Sequence, residues 1–363
     1  MKKKILVICP YPQGQSPRQR LKYEQYFSDW EKNGFDITVS PFFSDKMYSI
    51  LYKKGNSFKK IFWVLKAYGK RVAEIFRVKN YDLVYIHLWV TPFGLPLMER
   101  LFLKSNPKVV YDIDDAIFMK SQSLANRSAD FIRGRSKPFF LMKNAKHVIT
   151  CTPFLTEVAN SYNNQVTDIS STINTQTYQP VNAYTNDRKL ILGWSGSHST
   201  SQFLYLLKDV LLELQKKRSF KLLVMGDPSF KIDGLDMEAI PWTEEAEVPT
   251  LQQFDIGLYP LPLNSDWVLG KSGLKALQYM AVGVPVIATG IGANYRIMED
   301  GKTGFLVKTP EEWIEKIELL MDNPDLRKSI GEKSRINVVK NYSIDATAPI
   351  YLNIIQSIAG GTE

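Results

Sequence analysis

Residues 270–289 read GKSGLKALQYMAVGVPVIAT, a stretch that combines a helix with a buried strand. Apolar residues recur at helical spacing from Lys271 to Val282, and Gly283 is typical of the residue that ends a helix. The continuous apolar run at 284–289 is typical of a parallel strand that is buried on both faces. A helix that leads directly into such a strand predicts an α/β unit with a parallel sheet.

The same alternation of strands and helices extends over the whole chain in two series. In the second half it predicts strands at 190–194, 220–225, 254–259 and 305–308, and helices at 200–217, 311–321, 324–340 and 344–358. In the first half it predicts strands at 4–9, 35–40, 81–87, 108–112 and 147–151, and helices at 18–33, 57–79, after 92, and ending near 144. The polar segment 172–187 separates the series.

Two such series predict two Rossmann-like, doubly wound domains that face each other across a cleft, where ligands of α/β proteins bind. We place the first domain at residues 1–175, the second at 186–342, and a C-terminal helix at 343–363 that packs back toward the first domain.

Length and composition exclude several classes of protein. The 363 residues, 44% of them hydrophobic and 23% charged, exclude disorder and fibres. Cys9 and Cys151 both lie in apolar runs, which argues against a disulfide framework and favours a reducing cytoplasm. The apolar run after the basic start ends at Pro10 and is too short for a signal peptide, and 87–103 is interrupted by proline and charge. We therefore expect a cytoplasmic protein without a transmembrane helix.

The net charge of +9 is unevenly distributed. Residues 1–180 hold 27 Lys and Arg against 14 Asp and Glu, a net +13, whereas residues 181–363 hold 19 against 23, a net −4. A basic half predicts a surface that meets polyanions. We favour peripheral contact with an anionic membrane at its inner face over nucleic acid, because RNA-binding aromatic motifs and zinc-finger spacings are absent from the sequence.

The helix at 57–79 has two interpretations. Its apolar stripe consists of Phe58, Ile61, Leu65, Tyr68, Val72 and Phe76, with lysines elsewhere. Such a helix can lie on anionic lipid. A helix that packs on the core with a basic outer face gives the same pattern, and this is the interpretation we favour.

Two segments of the second half suggest an anion site. Ser195, Gly196 and Ser197 follow the strand at 190–194, where a glycine turn and free N–H groups at a helix start suit a diphosphate. An ordinary capped turn explains this loop equally. In the stretch 270–289, Lys271 at the helix start suits a pyrophosphate and Gln278 suits sugar hydroxyls, unless this is only a solvated helix face.

Several motifs together resemble a known family. They are DIGLYPLPL (255–263), GKSGLKALQYMAVGVPV (270–286), GKTGFLV (301–307), GWSGS (193–197), TINTQTYQP (172–180) and NYS (341–343). They are similar to the retaining GT-B glycosyltransferases of family 4, in a bacterial subgroup with a GKSGLKALQYMA-type donor helix. The resemblance covers most of the chain and is most specific in the second half.

This resemblance implies a nucleotide-sugar donor in the second domain, no metal and no other cofactor. It places the donor on Ser195, Gly196, Ser197, Gly226, Trp242, Gly270, Ser272, Gly273 and Gln278. Relatives often carry two glutamates where this chain has Gly270 and Gln278, so the contact to the donor sugar must differ. The Arg and Lys that relatives carry after the first strand of this domain are also missing, and Lys271 is the nearest replacement and our candidate catalytic cation.

Asp112, Asp114 and Asp115 are the other candidate catalytic residues. They follow the strand at 108–112, where many relatives place an active-site histidine, and a carboxylate here can stabilise positive charge at the reacting carbon. If the strand continues, neighbouring side chains alternate between its faces, so not all three aspartates point into the site. Capping of the next helix is one alternative. A metal-binding pair, as in GT-A glycosyltransferases, is another, although the second Rossmann series argues against it.

The acceptor is assigned to Gly14, Arg18, Arg20 and His87 of the first domain. Two arginines at a helix start can bind phosphate or carboxylate, although a solvated basic turn is equally compatible. His87 is alternatively a core histidine.

These observations predict a retaining hexosyltransferase. Its donor is a nucleoside-diphosphate sugar, with UDP favoured over GDP, and its acceptor is a glycan or lipid-linked glycan in surface polysaccharide synthesis. Nucleic acid is not an expected partner. A non-catalytic nucleotide-sugar-binding subunit and a GT-B-type sugar-nucleotide epimerase are the alternatives.

Overall fold

The computed structural model describes residues 2–51, 55–119, 134–180 and 188–360. The chain forms two compact units. The first unit is Met1–Ser170 together with Thr347–Glu363, and the second unit is Ser171–Ala346. Within the described ranges, no helix is both long and apolar enough to cross a membrane.

The first unit is built on a six-stranded parallel sheet of order β2-β1-β3-β4-β5-β6. Its strands are β1 Lys3–Cys9, β2 Phe35–Pro41, β3 Leu83–His87, β4 Val109–Asp112, β5 His147–Thr150 and β6 Val166–Asp168. Its helices are α1 Pro17–Arg20, α2 Phe27–Lys32, α3 Asp45–Leu51, α4 Ser57–Ile75, α5 Leu97–Ser105, α6 Ser136–Asn144 and α7 Pro153–Asn160. β3 and β4 are buried along their whole length, because helices cover both faces of a parallel sheet.

The second unit repeats this plan with the order β12-β11-β10-β7-β8-β9, again all parallel. Its strands are β7 Leu190–Ser195, β8 Phe220–Met225, β9 Met237–Ile240, β10 Ile256–Tyr259, β11 Val286–Thr289 and β12 Phe305–Val307. Its helices are α8 His198–Ser201, α9 Lys208–Lys217, α10 Glu244–Leu251, α11 Leu274–Ala281, α12 Asn294–Ile297, α13 Pro310–Asp322 and α14 Pro324–Asn341. The prediction of two Rossmann-like parallel-sheet domains is confirmed.

The last helix, α15 (Ile344–Gly360), supplies core residues to the first unit. The Tyr351 ring packs 4.6 Å from the Tyr26 ring, centroid to centroid. The Tyr26 hydroxyl hydrogen-bonds the Thr347 hydroxyl at 2.5 Å. A terminal segment far from the strands in sequence thus completes the first core.

The predicted helix at 18–33 is wrong in its continuity. α1 ends at Arg20, a 3₁₀ turn covers Glu24–Tyr26, and α2 begins only at Phe27. Between them the buried side chain of Lys22 reaches the Thr150 and Ile169 carbonyl oxygens, at 3.1 and 2.8 Å. These tertiary hydrogen bonds outweigh the local helix propensity.

Two strands and four helices were not predicted: β6, β9, α3, α7, α10 and α12. β6 and β9 are the edge strands of their sheets, with three and four residues, and no residue of either strand is fully buried. Their sequences therefore lack the apolar run that identifies an inner strand. α10 begins at the Thr243 cap, whose hydroxyl accepts a hydrogen bond from the Ala246 N–H at 3.2 Å. Thr243 followed by three glutamates is the signal that could have identified it.

Candidate functional site

The loops after β7 and β8 meet at a pair of glycines in the second unit. The Gly196 N–H donates to the Met225 carbonyl oxygen at 2.9 Å. Gly226 has φ +106°, and a Cβ there would overlap the Gly196 carbonyl oxygen. Two backbones can approach this closely only without side chains, so the pair forms an open, main-chain floor at the carboxyl edge of the sheet.

Lys275, from the first turn of α11, lies directly over this floor. Its Nζ donates to the Thr200 hydroxyl at 3.0 Å and lies 4.2 Å from the centroid of the Trp194 ring. A Cβ on Gly196 would overlap this Nζ. Burial, and then the charge of Lys271, lower the pKa of Lys275 to about 7. Among the described residues, the site therefore holds a cation whose charge lacks a compensating anion.

Sequence reasoning missed Lys275 as a site residue. The available signal was its position four residues after Lys271 in the same stretch, which the sequence analysis attributed to a longer helix. In the structure α11 begins at Leu274, so the prediction that Lys271 starts this helix is wrong. Gly273, with φ +76°, and a 3₁₀ turn at Asp266–Gly270 redirect the chain before it.

Lys271 nevertheless lies near the site. Its Nζ is 3.6 Å from the centroid of the Trp267 ring. The cap residue of α11, Gly273, has no side chain, so the first-turn N–H groups are not capped by a side chain at that position. A Cβ on Gly273 would lie 2.5 Å from the Ile297 Cδ1 atom, which excludes a capping side chain. Uncapped N–H groups beside two lysines favour an anion.

Gly270 and Ser272 have local roles. Gly270 is buried and ends the 3₁₀ turn. The Ser272 hydroxyl accepts a hydrogen bond from the Ser171 hydroxyl at 2.7 Å. Both residues thus fix the segment that carries Lys271.

The prediction that the amides of Ser195 and Gly196 face an anion is wrong. The Ser195 N–H donates to the Tyr279 hydroxyl at 2.7 Å, and the Gly196 N–H is used by Met225. The reason is that β7 continues its pairing with β8 up to Ser195. Ser197 follows as the residue before α8, and its hydroxyl hydrogen-bonds that of Ser199 at 2.9 Å.

Asp227 holds the short helix α8 in place. Its buried carboxylate accepts from the Ser201 hydroxyl at 2.5 Å and lies 3.0 Å from the His198 Nδ1. Burial alone would raise the pKa of Asp227, but hydrogen bonds from Ser201, Ser229 and His198 lower it to about 2. The carboxylate is therefore ionised at neutral pH and fixes the Thr200 end of the site.

A second polar cluster of this unit joins Trp242, Glu247, Gln278 and Tyr178. The buried Glu247 carboxylate accepts from Trp242 Nε1 at 2.8 Å, from the Tyr178 hydroxyl at 2.5 Å and from Gln278 Nε2 at 3.1 Å. The amide nitrogen of Gln278 is thus committed inside the protein. Trp242 remains 41% exposed, so the cluster orients an accessible indole. Glu247 was not a sequence candidate, because α10 was not predicted.

At the carboxyl edge of the first sheet, the three aspartates have different environments. Asp112 is fully buried, accepts a hydrogen bond from the Tyr85 hydroxyl, and places Oδ1 3.3 Å from Lys22 Nζ. Burial opposes the charge on Lys22, but Asp112, Cys151 and Asp114 outweigh it and raise the pKa of the Lys22 amine. This buried pair leaves Asp112 without a surface that a substrate could contact.

Asp115 and Arg18 form a second pair, 2.5 Å apart. The other Asp115 oxygen accepts the Ala116 N–H at 3.0 Å. The Arg18 side chain is 43% exposed, so it keeps part of its surface in solvent. Asp115 thereby orients an arginine at this edge.

Asp114 lies beside His87 at the same edge. Asp114 Oδ1 is 3.7 Å from His87 Nε2, which is longer than a hydrogen bond. Within the described part of the chain, neither this oxygen nor either His87 ring nitrogen has a hydrogen-bond partner. Burial lowers the pKa of His87 against the opposing effect of Asp114, so its ring is neutral at pH 7. Asp114 and His87 are the polar pair that a bound hydroxyl could complete.

The remaining acceptor candidates belong to the first loop. Gly14, with φ +77°, donates its N–H to Glu24 Oε2 at 2.9 Å, and a Cβ there would contact nothing. The other Glu24 oxygen accepts from Gln19 Nε2 at 2.9 Å. Arg20 ends α1 and is half-buried. Glu24 therefore fixes the loop that carries Arg18.

No group of three or more His, Cys, Asp or Glu side chains among the described residues is arranged to hold a metal ion.

Part of the second unit is similar to known proteins. Residues 189–323 match the family described as Glycosyl transferases group 1. Trehalose synthase of Pyrococcus horikoshii is 36% identical over 127 residues, which are 32% of this chain and 30% of that enzyme. The chain therefore matches less than a third of the length of this curated relative.

Solved structures cover both units. A glycosyltransferase from Rickettsia africae superposes with TM-score 0.72 at 17% identity, over 99% of this chain and 100% of its own. Anabaena HepE, in complex with UDP and glucose, gives 0.68 at 11% identity, over 98% and 100%. At such identities the likeness establishes the fold. The chain thus has the GT-B architecture, and residues 189–323 of its second unit are similar to the group 1 glycosyl transferases.

Proposed function

We propose that this protein is a retaining glycosyltransferase that moves a sugar from a nucleoside diphosphate, preferentially UDP, to a glycan or lipid-linked glycan acceptor of surface polysaccharide synthesis. The observation that carries this proposal is the Lys275 ammonium held over the Gly196 and Gly226 backbones. Retention of configuration is part of the proposal and depends on the resemblance to family 4 described above.

A diphosphate explains the electrostatics of the second unit. Lys275 is half-buried with its pKa lowered, so an arriving dianion gains a strong interaction and restores the proton. Lys271 and the N-terminus of α11 add charge of the same sign nearby. These groups replace the two cations that relatives carry after the first strand of this domain.

The nucleoside is assigned to the second cluster. The Trp242 indole, held through its N–H by Glu247, offers an exposed aromatic face on which a base can stack. Gln278 supports this indole through Glu247, and its amide nitrogen is used there rather than on a ribose hydroxyl.

The acceptor is assigned to the first unit. Its hydroxyl oxygen bonds to the anomeric carbon, the bond from that carbon to the diphosphate oxygen breaks, and the hydroxyl proton passes to the departing diphosphate. Lys275 stabilises the negative charge that develops on the diphosphate. Asp114, beside His87, is the carboxylate we assign to the acceptor or to the positive charge at the reacting carbon.

A non-catalytic binding subunit is the second candidate, since Gly270 is buried and supplies no carboxylate to a donor sugar.

The test is thermal stabilisation of the purified full chain by UDP-, GDP- and dTDP-sugars, followed by NMR of donor consumption with and without a glycan acceptor. We expect UDP-sugars to raise Tm, and transfer to require acceptor. Consumption without acceptor would indicate an epimerase, and binding without turnover a binding subunit.

Lys275→Met provides the control variant, because it removes the charge and keeps the length of the side chain. It should lose stabilisation by every nucleotide. If no nucleotide stabilises the wild-type protein, the donor site is wrong.

A further inference from the structure

Helix α4 has two apolar faces, and only one of them packs on the first unit. Ala67 and Arg71 are buried, and Trp63 and Val64 pack against Phe42, Phe43 and Met47. The opposite face carries large apolar side chains that are exposed to solvent. They are Phe58 (90% exposed), Ile61, Phe62, Leu65 (66%), Val72 and, just beyond the helix, Phe76 (73%).

This arrangement corrects the favoured interpretation of the sequence. A core-facing stripe requires Phe58, Ile61, Leu65, Val72 and Phe76 to be buried, and all five are exposed. Of the predicted stripe, only Tyr68 packs inward. Solvent exposure of so many adjacent apolar side chains marks an interaction surface.

The charge around this face has one sign. Residues 57–79 contain seven Lys and Arg and a single acid, Glu74. Glu74 is used by the buried Arg71, 2.6 Å away. Lys59 and Lys66 are exposed, and on a helical projection they lie at one edge of the apolar face. The helix therefore presents apolar side chains bordered by positive charge.

The neighbouring helix α5 contacts α4 and has a similar composition on its exposed side. Leu97 and Leu101 are exposed, together with Lys104. Leu95, just before α5, is exposed as well.

We propose that the exposed face of α4 inserts into the headgroup region of an anionic bilayer, with α4 lying in the membrane plane. This inference rests on the proposed function only in its choice of a membrane as the partner. The residues assigned to the nucleotide sugar do not contribute to it. Apolar side chains enter the acyl boundary while the lysines contact anionic headgroups. A second copy of this chain is a poorer occupant, because it would bring the same lysines together.

The test is flotation of the full chain with vesicles of phosphatidylcholine alone and of phosphatidylcholine mixed with phosphatidylglycerol. We expect binding to the anionic vesicles that weakens with salt. The triple variant Phe58→Ser/Phe62→Ser/Leu65→Ser should reduce the partition coefficient about tenfold or more. Lys59→Gln/Lys66→Gln should reduce the preference for the anionic lipid.

A matched control comes from α14 of the second unit. Ile336 (65% exposed) and Val339 are also exposed apolar residues on a helix, so Ile336→Ser/Val339→Ser should leave vesicle binding unchanged. The wild-type Tm and nucleotide-induced stabilisation should persist in the triple variant, because its three side chains are exposed. These two readouts separate a folding defect or a failed donor site from a failed membrane surface.

Three results would overturn this inference. The first is absence of binding to anionic vesicles, and the second is binding that the triple variant leaves intact. The third is concentration-dependent dimerisation in light scattering that the triple variant abolishes, which would assign the face to a second copy.

Discussion

Lys275 has a strongly lowered pKa at the proposed donor site. Its amine lies against the Trp194 ring, and burial followed by the charge of Lys271 lowers its pKa from 10.5 to about 7. The lowered pKa records a destabilising interaction in the unliganded protein. A buried charge that destabilises the unliganded protein is expected at a binding site whose ligand supplies the opposite charge.

The Lys275→Met variant should therefore be more stable than the wild type in acid and should bind no nucleotide. Below about pH 7 the amine is charged in both folded and unfolded chains, and the folded state carries the full free-energy penalty of burying that charge. Between about 7 and 10.5 only the folded state has lost the proton, so the penalty falls as pH rises. Calorimetry should show the variant with the higher Tm at about pH 6 and a shrinking difference towards about pH 9. Equal Tm values throughout would contradict the buried charge.

Asp112 and Asp114 are two residues apart and should respond oppositely to substitution. Asp112→Ala leaves the Lys22 charge buried without its partner, so the free energy of unfolding should fall by about 3–5 kcal/mol. Asp114→Asn removes only a charge at the half-buried edge, so stability should persist while kcat falls about a hundredfold or more. Denaturant titration and initial rates measure the two effects. Near-normal transfer by the Asp114 variant would assign the carboxylate no catalytic role.

At the scale of elements, the contact between the loops after β7 and β8 decides the shape of the proposed donor site. Each loop follows a paired parallel strand, and this pairing fixes where each loop begins. The floor therefore comes from tertiary pairing of two segments, each with one essential glycine.

Gly226→Ala should disrupt this floor. Its Cβ would overlap the Gly196 carbonyl oxygen, and φ +106° is itself strained for alanine, so we expect a loss of about 2 kcal/mol or more and no nucleotide binding. Gly234→Ala is the matched control, because φ is +84° but the nearest atom, on Leu212, is 3.7 Å from the new Cβ. It should show only the backbone strain, about 1 kcal/mol, with UDP binding intact. Comparable losses of binding in both variants would contradict the role of the floor.

At the scale of the whole molecule, the basic first half and the acidic second half differ in charge and in the roles we propose for them. The net +13 of residues 1–180 includes the lysines of α4, whereas the donor cations lie in a half of net −4. The cations of the proposed donor site are therefore placed individually, whereas we expect the basic surface of the first half to act through its summed charge.

Transfer should proceed in the presence of EDTA. The Asp112 carboxylate already has the Lys22 ammonium 3.3 Å away, in the position that a divalent cation would need, and Asp115 is paired with Arg18. Initial rates with EDTA, with Mg²⁺ and with Mn²⁺ provide the measurement, and equal rates are expected. Activity that depends on Mn²⁺ would revive the metal-binding interpretation of these aspartates.

The sequence by itself determined the two parallel-sheet units and the group 1 resemblance of the second. Inner strands such as 284–289 and the glycine that precedes them are local patterns, because a strand buried on both faces must be apolar throughout. The edge strands β6 and β9 were not predicted, because a half-exposed strand does not need a continuous apolar run.

Only the tertiary structure decided which charged residues form the sites. Lys275 rather than Lys271 lies over Gly196, and its hydroxyl partner Thr200 is 75 residues away in sequence. Asp112 is paired inside the protein with Lys22, which lies 90 positions earlier in the sequence. The apolar stripe of α4 that the sequence analysis assigned to the core is exposed. A helical or strand period fixes which residues share a face, but the partners that bury, pair or expose that face come from distant segments.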